Sequence, residues 1–175
     1  SRSETLRKWR ESNPEKFKEC IFAAQKSPKV SRMETWLRNK IKWESQRVRC
    51  GDRQKQVDFV KENIWIEVDG FYHFFPHPKF HRKRNDTRDL KTTQERDEML
   101  NIEALRRNIM LIRISMECFK SSSGEMKEEW FLIMDSMLKS PKPGIWCLGK
   151  LYESSPWASK GCMILKCPVL PIIFC

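Results

Sequence analysis

No stretch of this 175-residue chain stays apolar for anything near the roughly 20 residues that a membrane-spanning helix needs, and no signal-peptide pattern opens it. Those two absences remove a membrane partner from the expectations and point to an intracellular, cytoplasmic protein. C-x-x-C pairs are missing as well. The seven Cys are an odd number without that spacing, which argues against a zinc ribbon and for reduced thiols. Cys162 and Cys167, with four residues between them, have the spacing of half a metal site, but no second half follows. Histidine is scarce. The three present, His73, His77 and His81, fall four apart and would line up on a helix as zinc ligands do, but Pro76 and Pro78 deny the loop that helix. The chain opens at Ser1 rather than Met, as the back portion of a longer protein would.

Positive charge is what the sequence has in excess. Its 34 Lys and Arg against 23 Asp and Glu give a formal net charge of +11, with a pI near 9.5. The simplest partner is a polyanion, double-stranded DNA first, although ribosomal and membrane-surface proteins carry such a charge too. The length accommodates one modest α/β core with appendages. Residues 1–29 are dominated by Lys, Arg and Glu; Leu6, Trp9, Phe17, Ile21 and Phe22 are too few for a core, so this part reads as a basic strap of short helical pieces. Residues 30–139 hold the periodic segments. Residues 140–175 carry Pro141, Pro143, Pro156, Pro168 and Pro171 with Cys147, Cys162, Cys167 and Cys175, and are expected to be a tail of unknown role.

The organising stretch is Gln56 to His73, QVDFVKENIWIEVDGFYH. Val57, Phe59 and Val60 form a β-type run, Lys61-Glu62-Asn63 turns, and Ile64 to Asp69 returns, which is a hairpin signature. Alternation places Glu67 and Asp69 on one face of the second strand and Ile66 and Val68 on the other. The paired strand brings Asp58 to the acidic face, and Gly70 lets the chain turn so that His73 folds back. Carboxylates that close repel one another, so the cluster implies a divalent cation or a shared proton; the plain alternative is acids at strand ends facing water.

Around the hairpin the periodicity predicts further elements. A helix starts at Ser31, with Met33, Trp36, Leu37, Ile41 and Trp43 inward and Ser31 and Glu34 as a capping box, and a polar connection containing Cys50-Gly51-Asp52 leads on to the hairpin. Thr87 to Asn108 reads as a helix whose apolar side is Leu90, Met99, Ile102 and Leu105. Ile109 to Ile114 is a buried strand. Glu125 to Lys139 is a last helix with Met126, Trp130, Ile133, Met134 and Met137 inward. Strand, crossover helix and strand in that order imply a mixed sheet with a right-handed crossover.

Asp58, a short turn, and an apolar strand ending in Glu67-Val68-Asp69 resemble the core of the PD-(D/E)xK nuclease superfamily, with Asp69 where that superfamily usually has Lys. Together with Gly70 and His73, the departure is similar to the very-short-patch repair endonucleases and to phage homing endonucleases of the E-D-x-H-D kind. Gln94-Glu95-Arg96-Asp97 opening a helix, followed by the strand Ile109 to Ile114, is similar to the end of the same domain, so the likeness runs from Ser31 to Phe119. It implies an α/β fold with a restriction-endonuclease-like core, a central mixed sheet flanked by helices. The implied function is a Mg²⁺-dependent DNA endonuclease, a homing enzyme of phage or bacterial origin. It also implies that Glu34 reaches the active site, against its alternative role as a cap. Asp97 becomes an outer carboxylate that orients the His73 ring, against an ion pair with Arg96 or Lys91. SRSETLRKWRESNPEK is similar to short DNA-binding repeats beside homing-endonuclease domains, in which Arg7, Lys8 and Arg10 would touch phosphate; a solvated charged tail is the alternative.

Phosphodiester hydrolysis needs an activated water, charge relief on the phosphate and help for the departing alkoxide. A cation held by Asp58, Glu67 and the Val68 carbonyl would supply the last two, Mg²⁺ by preference for hard oxygen ligands and Mn²⁺ as a substitute. With Asp69 in place of Lys, a neutral His73 is the expected base, and Asp69 either binds the metal or sets the ring. The loop from Phe74 to Arg84 adds cations at Lys79, Arg82, Lys83 and Arg84, with Arg88 beyond, to hold DNA. Two other readings compete: a mismatch-directed repair nickase using Phe71, Tyr72, Phe74 and Phe75 as a wedge, and a catalytically inactive DNA-binding protein of the same fold. An RNA-binding role leaves the acids without a purpose. A single site nicks, so cutting both strands calls for a homodimer.

Overall fold

The computed structural model describes residues 31–75, 90–158 and 161–168, together with Ser12. The chain divides into two units, Ser1–Ser31 and Arg32–Cys175, and the elements below belong to the second. In order they are α1 (Arg32–Ile41), β1 (Glu44–Cys50), β2 (Arg53–Lys61), β3 (Ile64–Asp69), a 3₁₀ turn (Phe71–His73), α2 (Leu90–Arg106), β4 (Met110–Ser115), α3 (Glu128–Lys139), β5 (Gly144–Leu148) and β6 (Cys162–Leu165). The six strands lie side by side in chain order. β1 with β2 and β2 with β3 pair antiparallel, whereas β3 to β6 pair in parallel. Among the described residues this is an α/β fold with a central mixed sheet flanked by three helices, a generic restriction-endonuclease-like topology.

Alternation along the central strands builds two cores. Ile66 and Val68 of β3, Met110, Ile112 and Ile114 of β4, and Trp146 and Leu148 of β5 pack with Leu37 of α1 and with Trp130, Ile133, Met134 and Met137 of α3. On the other face Trp65, Leu111, Ile145 and Cys147 meet Leu100 and Ala104 of α2. Residues two apart on a strand share a face, but Val57 and Phe59 of β2 belong to opposite cores. The cause is a β-bulge: Glu44 pairs with Val60 and Gln46 with Val57, so β2 has one residue more than β1 over that interval. Asp58 sits in the bulge, which is where such a kink re-aims a side chain.

The crossovers β3-α2-β4 and β4-α3-β5 step in the same direction across the sheet, yet α2 and α3 cover opposite faces. They therefore have opposite hands, and one of them departs from the right-handed rule expected of such units.

Three expectations are corrected. β1, read as a polar connection, is an edge strand; only Val48 and Cys50 of its seven residues are buried, too few for alternation to stand out. The inward face of α2 is Asp97, Leu100, Asn101 and Ala104 at helical spacing, while Ile102 and Leu105 are 59% and 50% exposed. A helix normally turns its apolar stripe inward; here buried charge on the sheet reverses the choice. Residues after Ser140 are not a patternless tail either. They supply β5, β6 and a 3₁₀ turn (Lys150–Ser154), all tied into the sheet. Gly149, at φ 117°, turns β5 into that segment, and a Cβ there would lie 2.0 Å from the Ser115 hydroxyl.

Removing residues 141–175 would leave β4 as an edge with its fully buried Arg113 uncovered. The shortened chain is expected to lose its cooperative thermal transition by circular dichroism; an unchanged melt would show that β5 and β6 are dispensable to the fold.

Candidate functional site

β3 presents Glu67 and Asp69 toward α2, as alternation predicts, and both are buried. Its neighbour β4 presents Arg113 on the same face, directly paired with Glu67 in register. Arg113 is entirely enclosed, and its guanidinium grips Asp69 with two bonds of 2.7 Å, from Nε and Nη2. This planar fork matches a carboxylate. Nη2 also lies 2.9 Å from Asp97 Oδ1, and Nη1 donates to Asn101 Oδ1 at 3.1 Å. Tyr152 donates its hydroxyl to Asp69 Oδ2 at 2.7 Å, and the Trp157 ring lies 4.4 Å from the guanidinium carbon. A buried charge left unmatched costs several kcal/mol; every polar face of this pair has a partner.

His73 joins from the 3₁₀ turn. Its Nδ1 is 2.7 Å from Asp97 Oδ2 and 3.2 Å from Asp69 Oδ1, and Gln94 Nε2 donates to the His73 carbonyl at 3.3 Å. The chain folds back as expected, but Gly70 is not what permits it: its backbone is extended (φ −77°, ψ −175°), a conformation open to any residue. Lys55 of β2 closes the network with its Nζ 3.1 Å from Asp97 Oδ1 and 3.3 Å from Glu67 Oε2.

The outer edge is the bulge. The ladder between β2 and β3 runs to the Phe59 and Ile66 pair. Beyond it the Val68 amide donates to Asp58 Oδ2 at 2.8 Å and the Asp58 amide to Glu67 Oε1 at 3.3 Å, side chains taking the place of backbone acceptors. Burial, together with the charges of Glu67 and of Glu34 on α1, pushes the Asp58 carboxyl well above the usual carboxylate range, against the Val68 bond that lowers it. Burial raises Glu67 also, while Lys55 and Arg113 pull it back. Asp97 goes the other way: burial would raise it, but Arg113, the His73 bond and Lys55 hold it far below its ordinary value. For His73 burial works to lower the pKa, and Asp69 with the Asp97 bond overcomes this and raises it to about 9. At neutral pH His73 is an imidazolium. The neutral base anticipated from the sequence is not the form this environment holds, because two carboxylates face the ring.

Asp69, His73 and Asp97 each offer one ligand atom, all within 4.8 Å of one another, so this buried cluster is able to hold a metal ion. The same atoms already carry Arg113, Lys55 and the His73 proton, which a cation entering there would have to displace. The charge count points outward. Among the described residues four carboxylates, from Asp58, Glu67, Asp69 and Asp97, share three cations, Lys55, His73 and Arg113. One carboxylate is left over. The three cations pair with Glu67, Asp69 and Asp97, so the excess falls toward the Asp58 end.

Of the residues expected from sequence, the fold thus gathers Glu34, Asp58, Glu67, Asp69, His73 and Asp97 in one region, with Asp97 on His73 rather than paired with Arg96 or Lys91. Arg7, Lys8, Arg10, Lys79, Arg82, Lys83, Arg84 and Arg88 lie outside the described residues, as do His77 and His81. Sequence reasoning missed Lys55, Asn101, Arg113, Tyr152 and Trp157. An Arg within the all-buried strand Met110–Ser115 was a signal, since such a charge demands an acid; Tyr152 and Trp157 gave none.

Comparison with protein-family models, with curated proteins and with solved structures returns no match. Fold and site define a small α/β domain with a buried carboxylate and imidazole cluster able to chelate a metal ion. Among the described residues no helix is long and apolar enough to cross a membrane.

Replacing Arg113 by Met should lower the free energy of urea unfolding by about 3–5 kcal/mol, because Asp69 and Asp97 stay buried without their partner; breaking the exposed Lys139 and Asp135 pair should cost less than about 1 kcal/mol. The His73 shift, from 6.5 to about 9, corresponds to on the order of 3 kcal/mol. A raised pKa stabilises fully below about pH 6.5 and is lost as the pH climbs through about 9. NMR titration should place the His73 midpoint near 9 and move it down toward the ordinary value in Asp97→Asn.

Proposed function

We propose that the protein is a Mg²⁺-dependent endonuclease acting on double-stranded DNA, with the cation held at the Asp58 end of the network by Asp58, Glu67 and the Val68 carbonyl, and with Mn²⁺ as a substitute. The observation that carries this reading is the unbalanced carboxylate at the bulge: Asp58 is raised by burial, Glu67 and Glu34, and is countered by the hydrogen bond from the Val68 amide. A divalent ion supplies the positive charge that Asp58 lacks, and hard oxygens suit Mg²⁺. When bound, such an ion acidifies water and relieves charge on a phosphate.

The remaining roles belong to the chain. Glu34 on α1 faces the same acids and is assigned to the attacking water. His73, protonated and oriented by Asp97, is assigned as the proton donor to the departing oxygen rather than as a base. Asp69 is spent on Arg113 and Tyr152 and acts as a scaffold beneath the ring, not as a metal ligand. The overall charge of +11 suits a polyanionic substrate. In this reading the protein is a homing-type enzyme of the cytoplasm that pairs to cut both strands. A repair nickase is favoured by one further observation: Phe71, Tyr72 and Phe75, 45%, 48% and 39% exposed, stand beside His73 where a wedge would act.

Asp58→Asn tests the centre. The amide oxygen still accepts the Val68 N–H, while the charge repulsion is gone. Without metal the variant should therefore unfold at a higher urea concentration than wild type. Mg²⁺ or Mn²⁺ should raise the thermal midpoint of wild type by mass action and leave Asp58→Asn unmoved, and cleavage of duplex DNA should vanish. Retained metal stabilisation in Asp58→Asn with its loss in Asp97→Asn would move the ion to the inner cluster and reject this assignment. Cleavage of mismatched duplexes in preference to paired ones would select the nickase.

A further inference from the structure

A cavity of about 770 Å³ opens between β2 and the first turns of α2, lined among others by Arg53, Gln54, Lys55, Gln56, Thr92 and Arg96. Its size falls within the roughly 300–1,000 Å³ of sites that hold ligands. Its lining includes three cations and several amide or hydroxyl donors, and no Asp or Glu among the described residues. Arg53 and Arg96 are exposed at its walls. Lys55 is its inner end, and the one cation of the described buried network that also lines this opening: Arg113 is fully enclosed, and His73 is turned to Asp69 and Asp97. With its side chain 22% exposed, Lys55 touches Glu67 and Asp97 from the cavity side.

We propose that this cleft is a phosphate-binding groove for the backbone of a nucleic-acid strand, in which Arg53 and Arg96 hold successive phosphates and Lys55 binds the phosphate next to the carboxylates. This rests on the reading of the site as one that acts on nucleic acid, and adds to it where the strand lies and which residues hold it. A point-charge ammonium flanked by guanidinium and amide donors suits phosphate oxygens and carries no base preference. Lys55 serves two sets of partners: it neutralises Glu67 and Asp97 in the free protein and meets the incoming phosphate at the mouth of the acid site. That makes it the link between binding and chemistry.

The groove is tested in EDTA, so neither metal binding nor cleavage enters the measurement, and failure of the nuclease reading leaves the result intact. Affinity for a short fluorescent duplex is followed by anisotropy against KCl concentration. Removing one phosphate-binding cation lowers the slope of log K against log salt by about 0.9 on duplex. Arg53→Gln combined with Arg96→Gln, both exposed and harmless to folding, should lower it by about 1.8 and weaken binding at least several-fold. Lys139→Gln on α3 should leave the slope unchanged. Lys55→Met should weaken binding further and Lys55→Arg should restore it. A double Arg variant with the wild-type slope overturns the groove. So does displacement of the duplex by a nucleoside triphosphate at equal phosphate concentration, which would assign the cleft to a free nucleotide.

Discussion

The fully buried pair of Arg113 and Asp69, joined across the centre of the sheet by two bonds of 2.7 Å, is the constraint to which the rest of the site conforms. Enclosing two charges is costly, and the attraction between them offsets that cost only when geometry and the remaining hydrogen bonds are complete. Completion here draws on five elements. β3 gives Asp69, β4 gives Arg113, α2 gives Asp97 and Asn101, the turn after β3 gives His73, and the segment after β5 gives Tyr152 and Trp157. Each is held in place by the others, so the same bonds that anchor the sheet to α2 also fix the ring of His73.

This explains why the helix and strand faces are as they are. An amphipathic helix buries its apolar stripe when the sheet beneath it is apolar. The sheet beneath α2 carries Glu67, Asp69, Lys55 and Arg113, and the residues that answer them are Asp97 and Asn101. Ile102 and Leu105 are left to solvent as a result. Charge matching outweighs the apolar stripe because an unanswered buried carboxylate costs more than two partly exposed aliphatic side chains.

The network also divides the acids by function. Those surrounded by cations, Asp69 and Asp97, are held ionised and have scaffold roles. Asp58, in the bulge and facing like charges, is pushed toward its protonated form. A carboxylate in that state favours any arriving positive charge, and it lies at the bulge between β1 and β2, just past the Phe59 and Ile66 pair that ends the ladder between β2 and β3. The fold thus uses a local defect in the sheet to hold an acid where a regular strand would have held a backbone carbonyl.

Much of this was readable from the residues alone. Period-two alternation fixes Glu67 and Asp69 on one face and Ile66 and Val68 on the other, and helical spacing fixes Trp130, Ile133, Met134 and Met137 as the buried side of α3. The return of His73 to Asp69 was legible as well, since the two stand only four apart in the chain; the approach of Asp97, from a separate helix, was expected only from the family resemblance. Local patterns decide such features because neighbouring residues share one backbone geometry. What only the tertiary structure decided was the neutralisation: Lys55, Arg113 and Tyr152 come from separate strands and turns, and nothing in their spacing says which acid each will meet. Protonation of His73 and the inward face of α2 follow from those long-range electrostatic pairings, and the place of β5 and β6 from strand pairing beside β4, all of which depend on distance in space and not on order along the chain.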